Sequence, residues 1–128
     1  MRRKEPQVWR YELGAGWIAL AGKTDADNEV LTLEYAWPNE FWFHVRSMPG
    51  SHVILRHPEG QEPDKLVLEK AAAVAAYHSK ARGGGVAAVS CCQIKNIKKP
   101  RGASTGTVQI SKERVLKVRP ALPEEVEG

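Results

Sequence analysis

Apolar and polar positions alternate with period two near the start of the chain: in WRYEL, Trp9, Tyr11 and Leu13 are separated by Arg10 and Glu12. That spacing turns the apolar side chains to one face of a strand. WIALAGK follows Gly14-Ala15-Gly16, so the two segments are expected to pair around a short glycine turn. The rhythm then changes. TDADNEVLTLEYA offers Thr24 and Asp25 as N-caps, acids in its first turn, and Val30, Leu31, Leu33 and Tyr35 behind them, which predicts a short helix ended by Pro38. FWFHVR and SHVILRH read as two more strands. Between them, SMPG predicts a type II turn, because Pro49 presets its own φ and Gly50 tolerates the positive φ needed next. PDKLVLEKAAAVAAYHSKAR has the strongest helix signals, with Pro63 and Asp64 suited to its first turn, Lys80 and Arg82 to its last, and Gly83-Gly84-Gly85 as the stop. Alanines at 71, 72, 73, 75 and 76 give it a shallow surface that can lie close to a sheet. VAAVSCCQI is the next expected strand, and TVQI and RVLKV are expected to form a closing pair.

The order β-β-α-β-β-α-β-β-β predicts an α+β fold, a mixed and largely antiparallel sheet of about six to seven strands with two helices. A length of 128 residues suits one domain. Residues 1–8 are expected to be a flexible arm, residues 9–120 the single domain and residues 121–128 an acidic tail. Apolar residues at 42% and charged residues at 27% exclude a disordered or fibrous class. No apolar run reaches the roughly 20 residues a bilayer span needs, and MRRKEPQVW lacks the apolar segment of a secretory signal. No membrane partner is expected, and a cytoplasmic location is. Cys91 and Cys92 are adjacent, so on a strand they point to opposite faces and stay reduced and buried.

The net charge of +4 changes this picture only through its distribution. Lys95, Lys98, Lys99, Arg101, Lys112, Arg114, Lys117 and Arg119 stand against the single acid Glu113 in their stretch. Such segregation makes a positive field suited to a polyanion such as RNA, and is equally compatible with plain solvated surface.

Candidate chemistry lies in two stretches. In EFWFHVRSMPGSHVIL, Phe41, Phe43 and Val45 share one strand face while Trp42, His44 and Arg46 share the other. The second set either covers a further apolar layer or offers an indole, an imidazole and a guanidinium to an unpaired base and its phosphate. A tight turn at Pro49-Gly50 sets His44 opposite Leu55 and His52 opposite Ser47, on different faces; a longer loop reverses this. Two imidazoles with no third ligand at recognisable spacing are not a metal site, and no catalytic constellation can be assembled. In IKKPRGASTGTV, the cations Lys98, Lys99 and Arg101 flank a loop with backbone donors suited to phosphate oxygens. It lacks the Gly-Lys-Ser/Thr of a nucleotide cradle, so no cofactor is expected.

WFHV with PGSHVIL, the upstream GKTDADNEVLTLEYA and the downstream AAAVAAYHSKAR and IKKPRGASTGTV together resemble the NFACT-R domain family, over about Trp17 to Val118. Glu40 stands where that family usually has Asp. The resemblance implies RNA binding. In that family the domain belongs to ribosome-associated quality-control factors that hold tRNA on the large subunit and support tailing of stalled chains. The chain has no room for their other domains, so a stand-alone form is expected, with a protein partner to supply them. The contact residues implied by the resemblance are Trp42, His44, Ser51, His52, Lys98 and Lys99, and the strand-face and basic-loop readings add Arg46 and Arg101. Pro49, Gly50, Gly102 and Gly106 are implied to shape the backbone. The alternative is an RNA-processing or RNA-modifying enzyme that uses His44 or His52.

Overall fold

A computed structural model describes residues 5–123. In chain order the elements are β1 (Val8–Gly14), β2 (Trp17–Gly22), α1 (Asp25–Val30), β3 (Phe41–Val45), β4 (Val53–Arg56), α2 (Lys65–Tyr77), β5 (Ala87–Gln93), β6 (Ile97–Lys98), β7 (Gln109–Ile110) and β8 (Arg114–Val118). Six of the strands form one sheet in the order β1-β2-β4-β3-β5-β8, and β6 pairs with β7 in a separate two-stranded ribbon. Every strand pairing among the described residues is antiparallel, so the α+β expectation holds with a more uniform sheet than predicted. The predicted closing pair does not form. β7 takes β6 as its partner, and β8 adds to the edge of β5.

Local chemistry accounts for the helices. The Thr24 hydroxyl accepts from the Asp27 amide at 3.1 Å, and α1 runs on through a π-helical turn at Leu31–Tyr35 closed by Ala36 N–H to Leu31 O at 2.9 Å. Asp64 caps α2 by accepting from Val67 N–H at 3.0 Å. α2 ends at Tyr77, short of the predicted Arg82, because His78 leaves helical geometry and Ser79 bridges to Gly50. Arg82 still serves the helix end, donating to the Tyr77 carbonyl at 2.7 Å.

Both faces of the sheet are covered in its centre. On one face Ala19, Ala21, Phe43, Val53, Leu55, Val89 and Cys91 meet the alanine side of α2. On the other, Leu20, Trp42, Ile54 and Cys92 meet Leu31 and Ala36, with Ile94, Ile97, Val108 and Ile110 packed around them. This explains the uninterrupted apolar run Val53-Ile54-Leu55, which is buried on both sides. Cys91 and Cys92 fall into different cores as expected, and burial pushes their thiols up to about 12 and about 11.

The turn after β3 departs from the prediction. It lies at Arg46-Ser47, with Ser47 at φ 63°, and the chain then runs along the end of α2 before entering β4. Ser51 N–H donates to His78 O at 2.9 Å and Lys80 N–H to Pro49 O at 3.2 Å. A Cβ on Gly50 would sit 2.6 Å from that of Ser79, so glycine is required there by close approach rather than by a type II turn. At the chain ends, Gln7 O accepts from Lys23 N–H at 3.1 Å, and Ala121 N–H donates to Ala73 O at 3.2 Å. Much of the expected arm and tail, residues 1–4 and 124–128, lies outside the described residues.

Candidate nucleic-acid interface

The wider loop resets the histidines. β3 and β4 pair with Phe41 opposite Leu55, Trp42 opposite Ile54 and Phe43 opposite Val53, and one more step in this register brings His44 to His52. The two share a face, contrary to the tight-turn expectation. Their rings meet edge to face with centroids 5.5 Å apart, and Trp42 stacks beside His44 at 5.9 Å.

His52 is wholly engaged. Nε2 lies 3.0 Å from the Gly106 carbonyl, which can only accept, so the ring proton is on Nε2. Nδ1, 2.7 Å from the Thr32 hydroxyl, must then accept. Burial pushes the imidazole down to about 3, helped by neighbouring His44. A neutral ring with both nitrogens bonded is a structural pin, its N–H committed to the Gly106 carbonyl and its lone pair to the Thr32 hydroxyl. His44 is half-buried, and burial lowers its pKa as well. Trp42 is only 3% exposed, so its ring is core and offers no face for base stacking. Ser51 is also internal, its hydroxyl donating to Gly22 O at 2.6 Å.

The second stretch divides in the same way. Lys99 Nζ lies 2.5 Å from Glu29 Oε1 and also donates to the carbonyls of Ser104 and Thr107 at 2.5 and 3.0 Å. The ammonium therefore ties the loop to α1 instead of facing outward. Glu29 also accepts from Gly106 N–H at 3.0 Å, and these bonds, led by that from Lys99, hold its carboxyl below the usual range. Gly106, at φ 86°, and Gly102, at φ 77°, give this loop its left-handed turns. Lys98 and Arg101 are exposed. Between the loop and His44 lies a cleft of about 400 Å³, bounded also by Met48, Pro49 and Asp25.

The register gathers cations that are scattered in the sequence. Arg46 N–H donates to Ala88 O at 2.9 Å and Ala88 is paired with Lys117, so Arg46 and Lys117 stand in one row on the same face, two strand spacings or about 10 Å apart. Arg119 follows just past the end of β8, and Arg46 also reaches Glu113 at 3.5 Å. Lys23 after β2 and Lys80 after α2 lie at this same end of the sheet, since Gly22 N–H bonds to His52 O and Lys80 N–H to Pro49 O. By contrast Lys95, Lys112 and Arg114 lie toward the other end, where β3 and β8 begin and β5 finishes. Sequence reading missed Lys23 and Lys80. The signal available was position: Lys23 directly follows β2 and Lys80 stands three residues past Tyr77, the end of α2, and both elements terminate at this end.

Comparisons with known proteins agree with the fold. The family described as the NFACT protein RNA binding domain matches residues 8–112. The Rqc2 homolog RqcH of Bacillus subtilis is 36% identical over 115 residues, which cover 90% of this chain and 20% of that protein. The coiled-coil domain-containing protein 25 homolog of Dictyostelium discoideum is 30% identical, over 79% of this chain and 50% of its own length. Among solved structures, the C-terminal part of the fibronectin/fibrinogen-binding protein from Streptococcus suis superposes with a TM-score of 0.82 at 33% identity, covering 94% of this chain and 47% of that one. The chain thus spans about a fifth of the RqcH relative it matches. With a match over most of its length, the chain belongs to the NFACT RNA-binding domain family.

Proposed function

We propose that this chain is an RNA-binding module that docks tRNA or ribosomal RNA on the cationic end of its sheet, and that it serves ribosome-associated quality control in the cytoplasm beside a protein that supplies the remaining domains. The observation that carries this reading is the family match over residues 8–112. The exposure of Arg46, Lys117 and Arg119 at one end of the sheet supports it, and so do the exposed Lys98 at the end of β6 and Arg101 on the loop that follows. Cations on a rigid surface suit phosphate oxygens and steer a polyanion at long range. The similarity to RqcH supports the quality-control setting. No catalytic part is assigned to the His44 and His52 pair, since His52 has both ring nitrogens bonded.

Titration of the purified chain with tRNA and with a ribosomal RNA fragment, at low and moderate salt, tests the reading. Association at micromolar protein that weakens steeply with salt is the expected result. No association at low salt overturns it.

A further inference from the structure

The ring that the second core hides at Trp42 has an exposed counterpart on the edge strand β1. Trp9 faces the same side of the sheet as α2, opposite Ala21, and lies past the last turn of that helix. Its indole stacks on His78 with centroids 4.4 Å apart and planes 12° apart. The His78 Nε2 is bonded to the Tyr11 hydroxyl at 2.6 Å, so the imidazole is held in place beneath the indole. Lys23 Nζ lies 5.4 Å from the indole centroid, and the Arg82 guanidinium sits 3.9 Å from the Tyr77 ring. Trp9 nevertheless keeps 38% of its surface exposed, at the wall of an open cleft of about 390 Å³ that Lys80 also lines.

Each feature selects for the same ligand. A large aromatic ring fixed by a second ring loses little freedom when a flat partner stacks on it. Among the described residues, Lys23, Lys80 and Arg82 line the cleft against one acid, Asp25, so the partner is anionic. A flat ring joined to an anion is a nucleotide. The cleft also shares Asp25, Asn28, Pro49 and Gly50 with the one below His44, so a strand lying in that second cleft reaches this one across their common wall.

We propose that this cleft seats one unpaired nucleotide of the bound RNA, its base stacked on Trp9 and its phosphate held by Lys23, Lys80 and Arg82. The proposal rests on the RNA-binding reading and names the part of the RNA that this second site takes. Lys23, now over the indole, moves to the phosphate as the base takes its place.

The test is binding of a short oligouridine and of a blunt-ended RNA duplex to the wild-type chain, Trp9→Ala and Trp9→Phe, with melting curves recorded beside. Trp9→Ala is expected to weaken oligouridine binding by between about 5-fold and about 150-fold, and Trp9→Phe by much less, with duplex affinity unchanged. Lys23→Gln with Lys80→Gln leaves every ring in place and is expected to weaken oligouridine binding too, which keeps the test open if Trp9→Ala fails to fold. Equal oligouridine binding by wild type and Trp9→Ala overturns the proposal, as does an equal loss on the duplex or no loss in the lysine variant. A wild-type chain that binds the duplex but not oligouridine sinks this site alone. One that binds neither sinks the RNA-binding reading with it.

Discussion

At the scale of single residues, His52 sets a pH dependence whose direction is fixed. Its folded-state pKa is depressed to about 3 while an unfolded histidine titrates near its ordinary value, about 6.5. The unfolded chain therefore takes a proton that the folded chain refuses, and stability falls as the pH drops from about 6.5 toward 3, levelling below that. Burial lowers His44 and His78 as well, which adds to the same trend. Urea midpoints measured across this range are expected to fall with pH. The His52 ring resonances are expected to stay constant between about pH 8 and about pH 5; titration near 6.5 would contradict the buried, doubly bonded ring. Trp42 gives a second prediction. Truncated to Ala it loses a core ring, so unfolding free energy should drop by roughly 3 to 5 kcal/mol. Its Nε1, buried with no hydrogen-bond partner among the described residues, makes Trp42→Phe the milder change. Sequence spacing rightly put Trp42 and His44 on one face but left open whether that face was wet. Two short elements decide it, the α1 turn and the 94–110 segment, whose packing over Trp42 has no periodic signature in the sequence.

At the scale of elements, the loop at 99–107 is linked to α1 by Lys99 and by the Gly106 N–H, both on Glu29. Lys99→Ala removes three bonds at once, to Glu29 and to two carbonyls of its own loop. Faster cleavage within residues 99–107 in limited proteolysis is the expected outcome, with little change in the salt dependence of RNA binding. A large loss of salt dependence would instead mean that Lys99 reaches phosphate. Gly50→Ala sets a Cβ against Ser79 at 2.6 Å and should destabilise by about 1 to 3 kcal/mol, as overpacking does. The helices and most strands were legible because period, caps and glycine stops agreed. The β3 to β4 turn was not. Pro49-Gly50 has strong local turn chemistry, and the competing influence is the bridge to Ser79, a contact between segments about thirty residues apart that no local pattern announces. The same reason hides the true partners of β7 and β8, since pairing order is a property of the sheet.

At the scale of the molecule, the fold redistributes charge. The basic stretch from Lys95 to Arg119 reads as one patch in sequence, yet Lys117 and Arg119 are carried to the end of the sheet occupied by Arg46, while Lys95, Lys112 and Arg114 are carried toward the other. Reading the stretch alone could not separate these sets, because only strand register does. The measurement that tests the account most directly is therefore the salt dependence of tRNA affinity in two charge-reversal variants. One carries Arg46→Glu, Lys117→Glu and Arg119→Glu; the other carries Lys95→Glu, Lys112→Glu and Arg114→Glu, the same change in net charge. The first set is expected to flatten the slope of log affinity against log salt by about 2 to 3 units, and the second to leave it near the wild-type value. Equal flattening by both sets, or a larger effect from the second, would contradict docking on the cationic end.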